Sequence, residues 1–173
     1  MSKRARQYLG LLSSILAYYV IHEGAHLIYA RAAGTFKQIN FPGLGVQIDV
    51  YAEGMTDMQL GIFCLVGSIA TAITAYILIL LAERIGKLPS KLFKACMYYI
   101  TIALLFIDPI YLSILSGFFG GGDMNGISLL IPKTAAQAGY GALFLIHTLV
   151  FIKILLPKYC RAFSSETSPI INH

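Results

Sequence analysis

Residues 22–26 read His22-Glu23-Gly24-Ala25-His26, inside a run (8–30) whose only formal charge is Glu23. An α-helix repeats every 3.6 residues, so His22 and His26 fall one turn apart on one face. Two imidazoles at that spacing can hold one zinc ion, and a carboxylate beside the first can serve as general base for hydrolysis at the metal. The bland alternative makes each His a hydrogen-bonded core residue of an apolar helix. Ionisable groups in a membrane span are expensive, however, and three together in this order favour a functional site.

Two histidines leave zinc one short of the three protein ligands usual at a catalytic site. The acidic candidates are Asp123, in Gly120-Gly-Gly-Asp-Met-Asn-Gly126, Asp108, in Phe106-Ile-Asp-Pro-Ile110, and Asp49, Glu53 and Asp57 in a polar stretch. The glycines before Asp123 let the backbone unwind and turn into a cavity, where irregular backbone at membrane depth must lie. Otherwise that stretch is a polar turn capping a helix end. Asp108 competes on depth. His22 lies ~21 Å along a helix from residue 8 and Asp108 ~20 Å from residue 95, so helices starting at one face bring the two level. The other reading of Asp108 is a side chain bonding a backbone group freed by Pro109.

The elements that must position these residues are apolar helices. The chain has 173 residues, 57% hydrophobic and 12% charged, a membrane composition. We expect an all-α membrane protein with about four transmembrane helices, at 8–32, 59–82, 95–118 and 136–156. The first run is about 23 residues, enough for a ~30 Å hydrocarbon core. Its basic start and Ala30-Arg31-Ala32 imitate a signal peptide, but cleavage would discard the His pair, so the segment is expected to be retained. Residues 34–57 hold two short, partly alternating runs around Pro42-Gly43, the signal of a β-hairpin, with a plain interfacial loop as the alternative. The small residues Gly67-Ser-Ile-Ala-Thr-Ala72 suit close helix packing. His147 reads as a packing or hydrogen-bonding residue.

Cys64, Cys96 and Cys160 are odd in number and widely spaced, and the first two lie in apolar runs. They read as small packing residues, not a disulfide framework or zinc ribbon. Residues 1–160 are expected to form one integral-membrane domain, and 161–173 a polar, frayed tail. The net charge of +5 comes largely from segment ends, which points to membrane orientation and not to nucleic acid. Basic clusters at the start, at 83–94 and after the fourth segment give four spans with both ends cytoplasmic. His22, His26 and Asp123 then emerge on the same side.

The His-Glu-x-x-His motif in the first hydrophobic segment resembles the site-2 protease class of intramembrane zinc metalloproteases, strongly over residues 15–34 and more weakly beyond. In that family the motif lies on the first core transmembrane helix, and an Asp from a later segment completes the metal site. Asp123, with Asn125 and Gly126 close behind, resembles the family's Asp motif. The resemblance thus implies one Zn²⁺ per chain on His22, His26 and Asp123, Glu23 as the catalytic base and Asn125 in support. Asp108 is kept as the alternative ligand or a partner orienting one. The family's small β element after the motif helix, thought to hold substrate as an added strand, would correspond to the 35–50 hairpin. The family's Gly-Pro-x-x-Asn signature on the next helix is reduced here to Gly67. The implied function is hydrolysis of peptide bonds in or near transmembrane segments of membrane-protein substrates, within the lipid bilayer. A reading from another class is a non-proteolytic membrane zinc-binding scaffold or transporter component, which would not need Glu23. A helical bundle without metal is a third.

Overall fold

Ser2 starts the first helix: its Oγ accepts the Ala5 N–H at 3.2 Å, closing one of the unsatisfied donors of a helix start. This helix, α1, runs over Lys3–Ala32. Gly34, at φ +70°, then turns the chain into a conformation open to glycine. The strands β1 (Phe36–Asn40) and β2 (Gln47–Val50) pair antiparallel, with Ile39 opposite Ile48 and an irregularity between Phe36 and Gln38. A 3-10 turn (Ala52–Gly54) leads to α2 (Asp57–Gly86), which opens on a reciprocal capping box between Thr56 and Gln59. Ser90 caps α3 (Lys91–Ser113). A 3-10 turn (Leu115–Gly117), α4 (Asp123–Leu130), α5 (Lys133–Val150), one π turn (Phe151–Leu155) and α6 (Leu156–Ser164) complete the chain. The computed structural model describes residues 1–43, 45–118 and 122–164.

The fold is all-α apart from one small hairpin after the first helix. Four stretches are long and apolar enough to cross a membrane: Lys3–Ala32, Asp57–Gly86, Lys91–Ser113 and Lys133–Ser164. Leu12, Leu16, Val20, Leu80, Leu145 and Leu149 stay exposed, an outer surface suited to lipid and not to water. Inside, apolar packing falls into two clusters. One gathers Ala75, Ile79, Leu104, Leu105 and Leu155. The other gathers Phe63, Cys64, Leu112, Met124 and Ile127, and includes Ile48 of the hairpin. Along α2 and α3 the buried polar residues Thr71 and Asp108 fall between the two.

Several boundaries differ from the sequence expectation. Hydropathy continues through Phe118, but α3 stops at Ser113, where the chain tightens into a 3-10 turn on its way back to α1. The expected glycine turn is followed by a true helix, α4, too short to span but burying Met124 and Ile127 on one face. The second helix continues past Glu83-Arg84 to Gly86, since a cation in the last turn suits a helix C-terminus. The fourth stretch starts at Lys133 and runs on through α6, so residues 161–164 are helical. The rest of the expected frayed tail, 165–173, lies outside the described residues, as do Gly120 and Gly121 of the glycine run. The cysteines are free among the described residues, Cys64 buried in the core.

Pro109 sits inside α3. It has no N–H, so the Leu105 carbonyl four residues back loses its helical donor. His147 of α5 supplies the replacement, its Nδ1–H donating to that carbonyl at 2.6 Å. That is the hydrogen-bonding role open to His147. It also leaves Asp108 free of the backbone duty considered for it.

Candidate metal centre

Four helices meet at one point, three of them bringing polar side chains to it. His22 and His26 come from α1, Asp108 from α3 and Asp123 from the first residue of α4, while α2 passes behind the imidazoles at Gly67. Gly122 precedes Asp123 with φ +40°, a backbone that favours glycine and starts α4 with its first side chain at the cluster. His22 and His26 are buried, and Asp123 keeps 20% of its side chain exposed.

The distances fit a metal ion. His22 Nε2 lies 3.1 Å from Asp123 Oδ2 and 3.2 Å from His26 Nε2, and His26 Nε2 lies 3.5 Å from Asp123 Oδ2. A tetrahedron with metal–ligand bonds of about 2.0–2.1 Å has edges of about 3.3 Å. Behind His22, the Asp108 carboxylate sits 3.2 Å from Nδ1. A proton held on Nδ1 by Asp108 leaves a lone pair on Nε2. That lone pair faces a carboxylate oxygen, and the two repel unless a proton or cation lies between them. With a proton in that place, hydrogen bonding to His22 and His26 outweighs the burial that would raise the Asp123 carboxyl and holds the group down, at about 2. Asp123 is therefore ionised at neutral pH, as a metal ligand must be.

Asp108 is itself fastened. It is 3% exposed and accepts hydrogen bonds from the Tyr18 hydroxyl on Oδ1 and the Thr71 hydroxyl on Oδ2. Its place is thus at the outer nitrogen of His22, with Asp123 at the inner one. Gly67 clears space on the opposite side. A Cβ there would stand 2.6 Å from His26 Nε2 and 2.8 Å from His22 Nε2, closer than real contacts allow.

Glu23 adjoins the cluster without joining it. Its Oε2 accepts the Ile48 N–H at 3.1 Å, so β2 turns that donor away from β1 and toward α1. A carboxylate has capacity for several hydrogen bonds, and this one leaves Oε1 able to accept. Glu23 lines a cavity of about 750 Å³ together with His22, Asp108 and Asp123. From there the cavity follows the groove between α1 and α3 as far as Leu11 and Tyr99, and it is bordered on the other side by Pro42, Gly45 and Gln47 of the hairpin. From Leu11 to Glu23 is ~18 Å of helix.

The chain matches no family model, no curated protein and no solved structure. The chemistry must be read from the atoms of the site. Among the described residues, His22, His26 and Asp123 form the one group of three or more His, Cys, Asp or Glu placed to share an ion. Asp49 lies in the hairpin, accepting from Asn40 and Gln38, while Glu53 is in the 3-10 turn and Asp57 in the first turn of α2. None joins the cluster. Asn125 is exposed, and among the described residues its hydrogen bonds run through its backbone. Tyr18 and Thr71 were not read from the sequence as part of the site. Tyr18 carries a signal, since it stands one helical turn before His22 and stacks on it at 5.1 Å between ring centres. Thr71 stands one turn after Gly67, on the same face of α2.

Proposed function

We propose that this chain is an intramembrane zinc endopeptidase similar to site-2 proteases, cutting membrane-protein substrates in or near their transmembrane segments. The observation that carries the proposal is the tetrahedral spacing of His22 Nε2, His26 Nε2 and Asp123 Oδ2, with Glu23 on the same cavity wall. Three protein ligands leave one position open, the pattern of catalytic and not structural zinc. When bound, zinc would polarise the peptide carbonyl and acidify water beside it.

The chain's own residues do the rest. His22, His26 and Asp123 would hold the ion, and Asp108 would keep His22 in the tautomer that presents Nε2. Glu23 takes a proton from the attacking water and returns it to the leaving amine. The groove between α1 and α3 accepts the apolar substrate segment, and the hairpin receives its unwound end. A peptide strand running along the outer edge of β2 can take over the Ile48 N–H with its own carbonyl. That exchange releases the Glu23 carboxylate at the moment substrate arrives. Ser14, Tyr18, Tyr19 and Gln47 give the cavity polar wall, a path for water to a site otherwise enclosed by apolar helices. The chain is multi-pass, with the basic 83–94 link and α6 on the cytoplasmic side.

The test is cleavage of a pool of single-span membrane peptides by the full chain in proteoliposomes, with products read by mass spectrometry. A zinc chelator is expected to abolish cleavage and added zinc to restore it. Cleavage indifferent to chelation would contradict the proposal.

A further inference from the structure

A second recess, of about 540 Å³, lies at the other end of the bundle. Its walls are the last turns of α2, the link that follows, the start of α3, and α6. Lys87, Lys94, Lys158 and Arg161 line it, and Glu83 is the one carboxylate among the described lining residues. Glu83 is 65% exposed and sits 3.5 Å from Lys158 Nζ, a pair of little strength in solvent. Three cations at its rim, Lys87, Lys158 and Arg161, against one exposed carboxylate among the described residues make a cavity that selects for anions.

The recess is built, not a chance crowding of surface lysines. Lys94 is 1% exposed, its Nζ donating to the Ala162 carbonyl at 3.4 Å and lying 5.7 Å from the centre of the Phe163 ring. Lys158 Nζ donates to the Ile79 carbonyl at 3.4 Å. At Gly86 the α2 backbone comes so close to α6 that a Cβ would meet Ala162 Cβ at 2.9 Å. The π turn at Phe151–Leu155 precedes these contacts. One residue inserted into a helix rotates all that follows by about 100°. With Leu155 and Tyr159 buried, that rotation carries Lys158 and Arg161 onto the α2 side.

Depth identifies the ligand. Gly67 marks the level of the candidate metal centre on α2, and Glu83 lies ~24 Å further along the same helix. A helix of this length outruns a ~30 Å hydrocarbon core, so its last turns reach the headgroup layer. The anion concentrated in that layer is the phosphate of acidic phospholipids. We propose that this recess binds such a phosphate, carried by an anionic glycerophospholipid headgroup, through Lys87, Lys158 and Arg161 over a floor held by Lys94. The proposal is independent of the metal centre and of its chemistry.

The experiment is thermal unfolding of the full chain in neutral detergent, alone and with phosphatidylglycerol, phosphatidylcholine or inorganic phosphate. A site occupied in the folded state alone raises the midpoint. Phosphatidylglycerol is expected to raise it by about 3 °C or more in the wild type. Phosphatidylcholine is expected to leave it unchanged. In Lys87→Gln/Arg161→Gln, which alters two exposed cations, the rise should vanish. Glu83→Gln removes the carboxylate and should enlarge it. An equal rise with inorganic phosphate would support the phosphate site and name the free ion as its ligand. No rise with either anion, an equal rise with phosphatidylcholine, a rise that survives the double substitution, or a rise that Glu83→Gln fails to enlarge would overturn the proposal.

Discussion

Asp123→Ala, purified in detergent, is expected to hold less than about a tenth of the zinc carried by the wild type, because it removes one of three ligands at a catalytic site. The wild type is expected to hold close to one ion per chain. Asp108→Asn supplies the contrast. Its amide keeps the shape of the carboxylate but loses the charge that fastens the Nδ1 proton of His22, 3.2 Å away. Loss of such an outer partner weakens metal affinity by about 10–100-fold. Asp108→Asn should therefore bind zinc when the metal is in excess and lose it on dialysis. The opposite pattern, with zinc retained in Asp123→Ala and absent from Asp108→Asn under excess metal, would make Asp108 the third ligand.

Gly67→Val is expected to remove zinc altogether, although residue 67 offers no ligand atom. The first added carbon would already stand 2.6 Å from His26 Nε2 and 2.7 Å from His22 Cε1. The helix cannot simply retreat. Thr71, one turn away, is bonded to Asp108, and the α2–α4 contact is so close that a Cβ at Gly126 would run into Cys64 Sγ. The imidazoles must swing out instead, losing their convergence at a cost of about 1–3 kcal/mol of overpacking strain. Gly24→Ala is the control within the motif itself. A Cβ there meets nothing within 4 Å, and replacing glycine by alanine inside a helix is favourable by about 1 kcal/mol. That variant should keep its zinc and its fold. Equal zinc in both variants would remove the steric argument.

The parts legible in the sequence are those carried by local pattern. His22, Glu23 and His26 declare themselves by spacing within an apolar run, and the hairpin by alternation around Pro42-Gly43. The four long helices follow from hydropathy. What stayed hidden depends on tertiary partners. Residues 123–130 read as a turn because glycines surround Asp123, and eight residues are too few for hydropathy to mark a helix. Thr71 and Tyr18 are hydroxyls in apolar runs, and a helical Thr can satisfy itself on its own backbone, as Thr74 does on Ala70 at 2.8 Å. Nothing local announces that Thr71 reaches Asp108. Gly67 read as a helix-packing residue, which describes its size but not that its neighbours are the two imidazoles. Pro109 implied a freed carbonyl at Leu105 by simple counting, but the donor came from His147, 42 residues later. The π turn has no hydropathy signature either, since Phe151–Leu155 is as apolar as the helix before it apart from Lys153.

The most direct test of the central claim pairs the wild type with Glu23→Gln, measuring zinc and peptide cleavage on the same proteoliposome preparations. Glutamine keeps the size of the side chain but cannot carry the proton. The two chains should hold equal zinc, near one ion each, while cleavage by Glu23→Gln falls by about 10²–10⁴-fold, the usual contribution of a general acid–base group. Cleavage at the wild-type rate by Glu23→Gln, or a wild type that cleaves without zinc, would contradict the account.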